Sequence, residues 1–457
     1  MITRQLSEIA FALDADLLGP DQTIQSISTH SNDIHDACLF IALVGKNFDA
    51  HDFVPDAIGH GCCAVLVDRE LQAPDHVSQL VVSDTQKALG LLGQYVCNEV
   101  NPFRLALTGS CGKTTVKEML SCILSQKGQV HMTQGNFNNE IGVPLTLLGL
   151  TEQDEFGVFE LGANHQHEID YTSHLVQPQI ALINNIAPAH LEGFGSIDGI
   201  AQAKSEIFNH LHPQGCAIIN KDDHYAEQFI EKTKAFQQIC YASSQKADVY
   251  AANLESDAQG FYQFTLYIKQ QSAQVHLTVP GRHQVDNALA AAAMAHAAQI
   301  SIDHIAQGLK KATTVAGRMQ LHRFQGVIVM DDSYNANPKS VKAAIDWLSE
   351  RDGQSWLVLG DLGEMGSEST SWHQHLGDYA AEKNIDRVFT LGESSKMTSE
   401  NFGAGLHFSE FDTLWQSIKM HIPQQEHINI LVKGSRSAKM ERVVHALNDL
   451  LTKGDHH

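Results

Sequence analysis

The chain has 457 residues, too many for one hydrophobic core and enough for about three domains. Its 43% hydrophobic and 18% charged content describes a globular protein, and 31 basic against 53 acidic residues give a formal charge of −22. No Lys/Arg-rich stripe offsets that charge, which excludes a nucleic-acid backbone as partner, so any anionic small molecule must be bound by a local site.

The first residues, Met1 to Glu8, lack the apolar run of a signal peptide, and the Ala-rich stretch from Ala288 to Ala298 is short and broken by His296. No membrane insertion is expected, and a cytoplasmic location is. Eight cysteines include the adjacent pair Cys62-Cys63 but no C-x-x-C, which suits reduced thiols better than disulfides or a zinc site.

Residues 1–84 alternate short strand and helix patterns, with Cys38–Leu43 and Ala64–Val67 as the clearest strands, and predict a small α/β domain. In residues 85–313 the most informative segment is Thr108-Gly109-Ser110-Cys111-Gly112-Lys113-Thr114-Thr115. It lies between an apolar strand pattern, Arg104–Leu107, and a helix whose apolar face reads Val116, Met119, Leu120, Ile123 and Leu124. Glycines there let the backbone approach an anion, N–H groups point at it, and the helix dipole favours negative charge, so a nucleoside triphosphate is the expected ligand. By position Lys113 neutralises the outer phosphates and Thr114 offers a hydroxyl to Mg2+. Leu107 occupies the place of the usual first glycine, which makes this a short variant; the plain alternative is a glycine turn capping a helix.

Three continuous apolar runs, Val158–Leu161, Ile180–Asn185 and Ala217–Asn220, read as strands buried on both faces of a parallel sheet. Ligands gather at the carboxyl ends of such strands, where Glu160 and His190 stand. Taken alone, Glu160 reads equally as a solvated acid and His190 as a loop histidine; following a P-loop, both become candidate Mg2+ ligands. Asn164-His165 faces substrate or forms a turn. Spacing alone makes Lys204 an exposed helix lysine. Asn220-Lys221-Asp222-Asp223 and Asp154–Gly157 match GTPase signatures only weakly, since Asp154 precedes its strand.

Residues 314–457 contain strand patterns at Gly326–Asp332, Trp356–Asp361, Val388–Leu391 and Ile428–Val432, separated by helical segments, and predict a second doubly wound sheet. Asn337 is placed to cap a helix whose first turn holds Pro338. Lys433-Gly434-Ser435-Arg436-Ser437 reads as a second anion site or a plain loop, and Arg318 as a surface arginine or a phosphate clamp.

Seven runs in order resemble the ATP-dependent Mur ligases of bacterial cell-wall synthesis: Thr108–Thr115, Gly135–Pro144, Glu160–His165, Ala189–Gly195, Gly281–Leu289, Asp331–Pro338 and Val432–Ser437. The resemblance spans essentially the whole chain. It implies a three-domain α/β protein: a small N-terminal domain (1–84) for the UDP-sugar, a central P-loop ATPase domain with a mostly parallel sheet (85–313), and a C-terminal Rossmann-like domain (314–457) that brings the incoming amine. The branch it favours joins D-Ala-D-Ala to UDP-N-acetylmuramoyl-tripeptide in peptidoglycan precursor synthesis. Asp331–Pro338 argues for that branch over the sister ligase adding the third amino acid and over folylpolyglutamate synthase-like enzymes. The implied route runs through an acyl phosphate that the dipeptide amine attacks.

The resemblance also implies residue roles. Gly109, Ser110, Cys111, Gly112, Lys113, Thr114 and Thr115 cradle ATP, with Asn287 at adenine, Arg318 at the γ-phosphate and Asp332 at the ribose. Thr114, Glu160, His190 and a carbamylated Lys204 hold Mg2+, as two ions. Ser31, Asn47, Phe48, Asp49, Asn138, Asn139, Asn164, His165, Asn335 and Asn337 serve the substrates. A monomer is expected. Two departures stand out: His30-Ser31-Asn32 where the family carries Asp-Ser/Thr-Arg, and Gln166-His167-Glu168 where it carries Gln-Gly-Glu.

Overall fold

Phe103–Thr108 is a mostly apolar strand whose last five residues are all buried, and its place in the interior of a nine-stranded sheet, with parallel partners on both sides, explains why. In the computed structural model, which describes residues 2–45, 47–422 and 427–454, that sheet runs in the order Gln271–Pro280, Phe261–Ile268, Val249–Ser256, Gln237–Ala242, Cys216–Asn220, Ile180–Ile183, Phe103–Thr108, Phe156–Glu160, Val130–Met132. All neighbours from Val249–Ser256 onward are parallel; Phe261–Ile268 and Gln271–Pro280 add an antiparallel meander at one edge. The register sets Glu160 beside Leu107 and Ile183 beside Thr108, so three strands end together where the glycine-rich loop begins. With the loop's strand flanked by later strands on both sides, this edge is a topological switch point.

Helix Lys113–Leu124 follows the loop and buries the predicted apolar face, Val116, Met119, Leu120, Ile123 and Leu124. Against it packs the helix His283–Ala297, whose alanines from Ala288 to Ala295 are fully buried. Small side chains let two helix backbones approach closely, which is the structural use of the Ala-rich stretch. No helix among the described residues is long and apolar enough to cross a membrane.

The C-terminal unit is a six-stranded sheet ordered Gln320–Phe324, Val327–Asp332, Ile428–Lys433, Gln354–Gly360, Arg387–Leu391, Leu406–Phe408, parallel except for its first pair. Insertion of the last strand between the second and third puts Lys433 opposite Asp332. The N-terminal unit holds a five-stranded sheet, Asp16–Leu18, Ser78–Val81, Ala64–Val67, Cys38–Ile41, Ser26–Ser28, beside a two-stranded pair. The predicted strand Cys38–Leu43 therefore stops two residues early, where the chain turns toward an isolated bridge between Val44 and Asp49. One apolar cluster joins all three units, from Leu6 through Phe159 and Phe194 to Met365 and Leu431. All eight cysteines are free thiols, as their spacing predicts.

Candidate active site

The glycine-rich loop is held by its neighbour strand's extension. Ser110 N donates to Asn185 O at 2.9 Å, Cys111 N to Asn185 Oδ1 at 3.0 Å, and Ser110 Oγ exchanges hydrogen bonds with Ala187 O and Ala187 N, each at 2.9 Å. Gly112 caps the following helix at φ +78°, where a side chain would run into Asn287 Oδ1 and lie 2.7 Å from Asn184 Nδ2. Only glycine satisfies both the backbone angle and the space. Lys113 curls over its own loop and donates to Gly109 O at 2.7 Å. Burial lowers its ammonium's pKa, against the opposing pull of Glu160.

At the next strand end, Glu160 is 3% exposed, accepts from Thr114 Oγ1 at 3.0 Å and from Asn138 Nδ2 at 2.9 Å. The solvated-acid reading of Glu160 therefore fails: the carboxylate is held inward by Thr114 and Asn138, at the end of a strand paired on both sides. Lys204 is likewise not the exposed lysine that spacing suggests. It is 1% exposed in the helix Ile197–Ser205, its Nζ lies 5.9 Å from the Phe194 ring centroid, and desolvation with the nearby charge of Lys113 depresses its pKa to about 7. The helix face that carries Lys204 packs inward with Ile200, Ala201 and Ala203, which periodicity over so short a helix does not reveal.

His190 sits at φ +54° and its Nδ1 pairs with Glu364, a residue of the C-terminal unit. Across the cavity, Asp332 accepts from Met319 N at 3.1 Å and pairs with Lys433 Nζ at 2.5 Å. Lys433 also donates to Asn335 O at 2.9 Å, so its ammonium is committed within the protein and the Lys433–Ser437 loop is not a free second anion site at that residue. Arg318 stacks over Tyr334 at 4.3 Å from the ring centroid, with Arg436 5.8 Å from the same ring. Asn337 caps the helix Pro338–Ser349 as predicted. These groups line one cavity of about 840 Å³ between the central and C-terminal units.

The structure gathers Ser110 to Thr115, Asn138, Asn139, Glu160, Asn164, His190, Asn287, Arg318, Asp332, Asn335 and Asn337 around this cavity. Asn287 accepts from Asn184 Nδ2 at 3.0 Å and donates to Gln284 Oε1 at 2.8 Å, pressed against Gly112. Gly109 does not line the cavity; its carbonyl oxygen accepts from Lys113 Nζ instead. His165 is not part of the lining; it turns to Glu168 at 2.9 Å, and Asn139 caps its own turn by accepting from Gly142 N at 2.9 Å. Lys204 lies behind the lining rather than in it.

The N-terminal candidates Ser31, Asn47, Phe48 and Asp49 are not brought to this cavity. Asp49 is taken by structure: it accepts from His51 N at 3.0 Å and pairs with the His51 ring and with Arg69 at 3.0 Å, which holds its carboxyl well below the usual range. Phe48 is 56% exposed. The GTPase signatures dissolve too, since Asp223 accepts from Ile186 N at 2.7 Å and Tyr225 N at 3.0 Å, and Asp154 closes a turn on Thr151 N at 2.7 Å.

Sequence reasoning missed Glu364, Lys433's partnership with Asp332, and Tyr334 between two arginines. Glu364 follows the strand Gln354–Gly360 by four residues, and the strand-end rule applied to the C-terminal sheet would have found it.

Residues 107–295 match the Mur ligase middle domain and residues 317–436 the Mur ligase glutamate ligase domain. The chain is 43% identical over 453 residues to the UDP-N-acetylmuramoyl-tripeptide–D-alanyl-D-alanine ligase of Escherichia coli (strain K12), covering 98% of this chain and 99% of the relative. A crystal structure of MurF from Acinetobacter baumannii superposes with a TM-score of 0.94 at 37% identity, covering 98% and 99% of the two chains. MurF ligase from Thermotoga maritima in complex with ADP agrees in fold, with a TM-score of 0.84 at 24% identity over 94% and 98%. Similarity over nearly the full length of both chains, coinciding with the P-loop, its strand-end acid and the C-terminal sheet facing them, makes this protein a member of the Mur ligase family of ATP-dependent ligases.

Proposed function

We propose that this protein joins D-Ala-D-Ala to UDP-N-acetylmuramoyl-tripeptide with ATP, giving ADP and phosphate, in peptidoglycan precursor synthesis. The observation that carries the reading is the cavity in which a P-loop of the central unit meets Arg318, Asp332 and Asn335 of the C-terminal unit, in a chain 43% identical to a ligase of that name. In this reading the tripeptide carboxylate attacks the γ-phosphate to give an acyl phosphate and ADP. The dipeptide amine then adds to the acyl carbon, and phosphate leaves as the amide forms.

The loop's N–H groups and Lys113 hold the phosphates, Lys113 exchanging Gly109 O for phosphate oxygen. Arg318, presented on the Tyr334 face, meets the γ-phosphate from the opposite wall. Asn287 meets adenine and Asp332 the ribose. Asn335, at the mouth, serves the dipeptide, together with Asn164. Enclosure between two units keeps water from the acyl phosphate while the amine arrives.

The donor chemistry fits Mg2+: a P-loop hydroxyl, Thr114, lies 3.0 Å from a buried carboxylate, Glu160, and both are oxygen donors of the kind this ion takes. Bound there, as two ions, Mg2+ would screen the charge of two anions brought together. His190 is the third ligand in this reading, and Lys204 the fourth as a carbamate. An amine with a pKa near 7 is substantially neutral in the cell, and only the neutral amine adds carbon dioxide. Among the described residues no three His, Cys, Asp or Glu converge on one point, so a carbamate oxygen supplies what the ordinary side chains do not.

Ser31, Asn47 and Phe48 are left for the sugar-nucleotide end, with Asn32 in place of the family's arginine; Asp49 serves as scaffold. Nucleotide substrates fit a cytoplasmic, monomeric enzyme. The test is ADP release with UDP-N-acetylmuramoyl-tripeptide, with and without D-Ala-D-Ala. Dipeptide-dependent turnover is expected; turnover with a free amino acid in place of the dipeptide would favour the sister ligase.

A further inference from the structure

His190 and Glu364 face one another from different units, and both are non-glycine residues in the left-handed region, at φ +54° and +60°. Such backbone is rare for side-chain-bearing residues and persists only where the surroundings hold it. Here they do. Leu362 and Met365, flanking the Glu364 turn, are 5% and 2% exposed within the shared apolar cluster. The turn is further pinned by Leu362 N donating to His373 Nε2 at 3.2 Å, and Glu192 N donates to Glu364 O at 3.4 Å across the seam. The turn is thus a built feature of the C-terminal unit, aimed at the first residues after His190.

An imidazole whose Nδ1 lies against a carboxylate favours the tautomer with its proton on Nδ1 and Nε2 as the lone-pair atom. We infer that Glu364 is a positioning residue for the metal end of the site: it reaches His190 only when the C-terminal unit is docked, and so makes completion of the cation site conditional on closure. This rests on His190 being a metal ligand, as proposed above. Its advantage is chemical, because phosphoryl transfer would then be armed only in the arrangement that also excludes water.

The test is binding of Mn2+, an EPR-visible substitute for Mg2+, to the full chain saturated with ADP. Glu364→Ala should weaken Mn2+ by about 10- to 100-fold, the usual effect of losing such a partner. Glu364→Gln, whose amide oxygen still accepts from Nδ1–H, should lose less. In a His190→Ala background Glu364→Ala should add no further loss, since two residues acting through one ring are not additive. Thermal melting checks that each variant is folded. Unchanged Mn2+ affinity in Glu364→Ala, or a loss that adds fully to that of His190→Ala, would overturn the inference. If His190→Ala itself leaves Mn2+ affinity unchanged, the ligand assignment of His190 falls; if only Glu364→Ala is silent, the inference alone falls.

Discussion

Asn337 of the C-terminal unit touches the phosphate loop of the central one: Cys111 Sγ donates to its Oδ1 at 3.2 Å, and that same oxygen accepts from Ser340 N at 2.9 Å to cap a helix. One side chain therefore starts the helix Pro338–Ser349 and rests on the glycine-rich loop proposed to receive ATP. Its Nδ2 adds a bond to Ser110 O at 3.4 Å.

Asn337→Ala should lose about 1 kcal/mol of stability, the worth of an N-cap. It should also raise the KM for ATP, because the loop contact goes with the cap. Melting and steady-state kinetics on one preparation separate the two effects. A rise in KM confined to the dipeptide, with ATP unaffected, would contradict the loop contact and favour a direct substrate role.

Lys113→Ala should lower kcat by at least about 10²-fold, as removal of a group that stabilises transition-state charge does. The fold should hold, since the amine's one hydrogen bond is to a backbone oxygen of its own loop. Near-normal turnover in a folded variant would end the assignment of this loop to the phosphates.

Gly112→Ala forces a side chain into φ +78° and against Asn287. The strained backbone alone costs on the order of 1–3 kcal/mol. Nucleotide binding measured by calorimetry should be lost before the fold is; a variant that binds ATP normally would mean the loop can move aside.

Lys204→Ala should be nearly inactive yet no less stable than the parent, because desolvation that depresses the amine's pKa to about 7 makes this lysine oppose folding at neutral pH, which offsets the packing lost with its side chain. Short carboxylic acids should restore part of the rate by supplying the missing oxygen ligand. Carbon-13 NMR of protein equilibrated with labelled bicarbonate should give a carbamate signal absent from the variant. Full activity of Lys204→Ala would refute the modification.

His373 is fully buried, with Nδ1 bonded to Thr398 Oγ1 at 2.9 Å and Nε2 accepting from Leu362 N, and desolvation depresses its pKa from 6.5 to about 4. Between those values the unfolded chain binds the proton and the folded chain does not, so stability rises with pH across that window. Acidification from about pH 6.5 to 4 should cost on the order of 3 kcal/mol from this group. His373→Gln should flatten the dependence over that range. An identical pH profile in both proteins would exclude His373 as its source.

The strands that carry the site are legible in the residue pattern alone. Continuous apolar runs such as Ala64–Val67 and Ile180–Ile183 have no polar alternation, so they must be buried on both faces of a covered sheet. Local chemistry also settled the P-loop and the Asn337-Pro338 helix start, because caps and glycine turns are decided within a few residues. What the chain order could not convey was anything that depends on two distant segments meeting. Lys204 looks exposed along its helix and is buried because that face packs inward beneath the P-loop. Lys433 looks like an anion ligand and is paired because its strand inserts beside Asp332, 101 residues away. Asp49 looks available and is held by Arg69 and His51. Glu364 gains its meaning only when the C-terminal sheet docks over His190. Periodicity reports a residue's immediate neighbours; burial, charge pairing and the facing of domains are set by long-range packing between segments far apart in the chain.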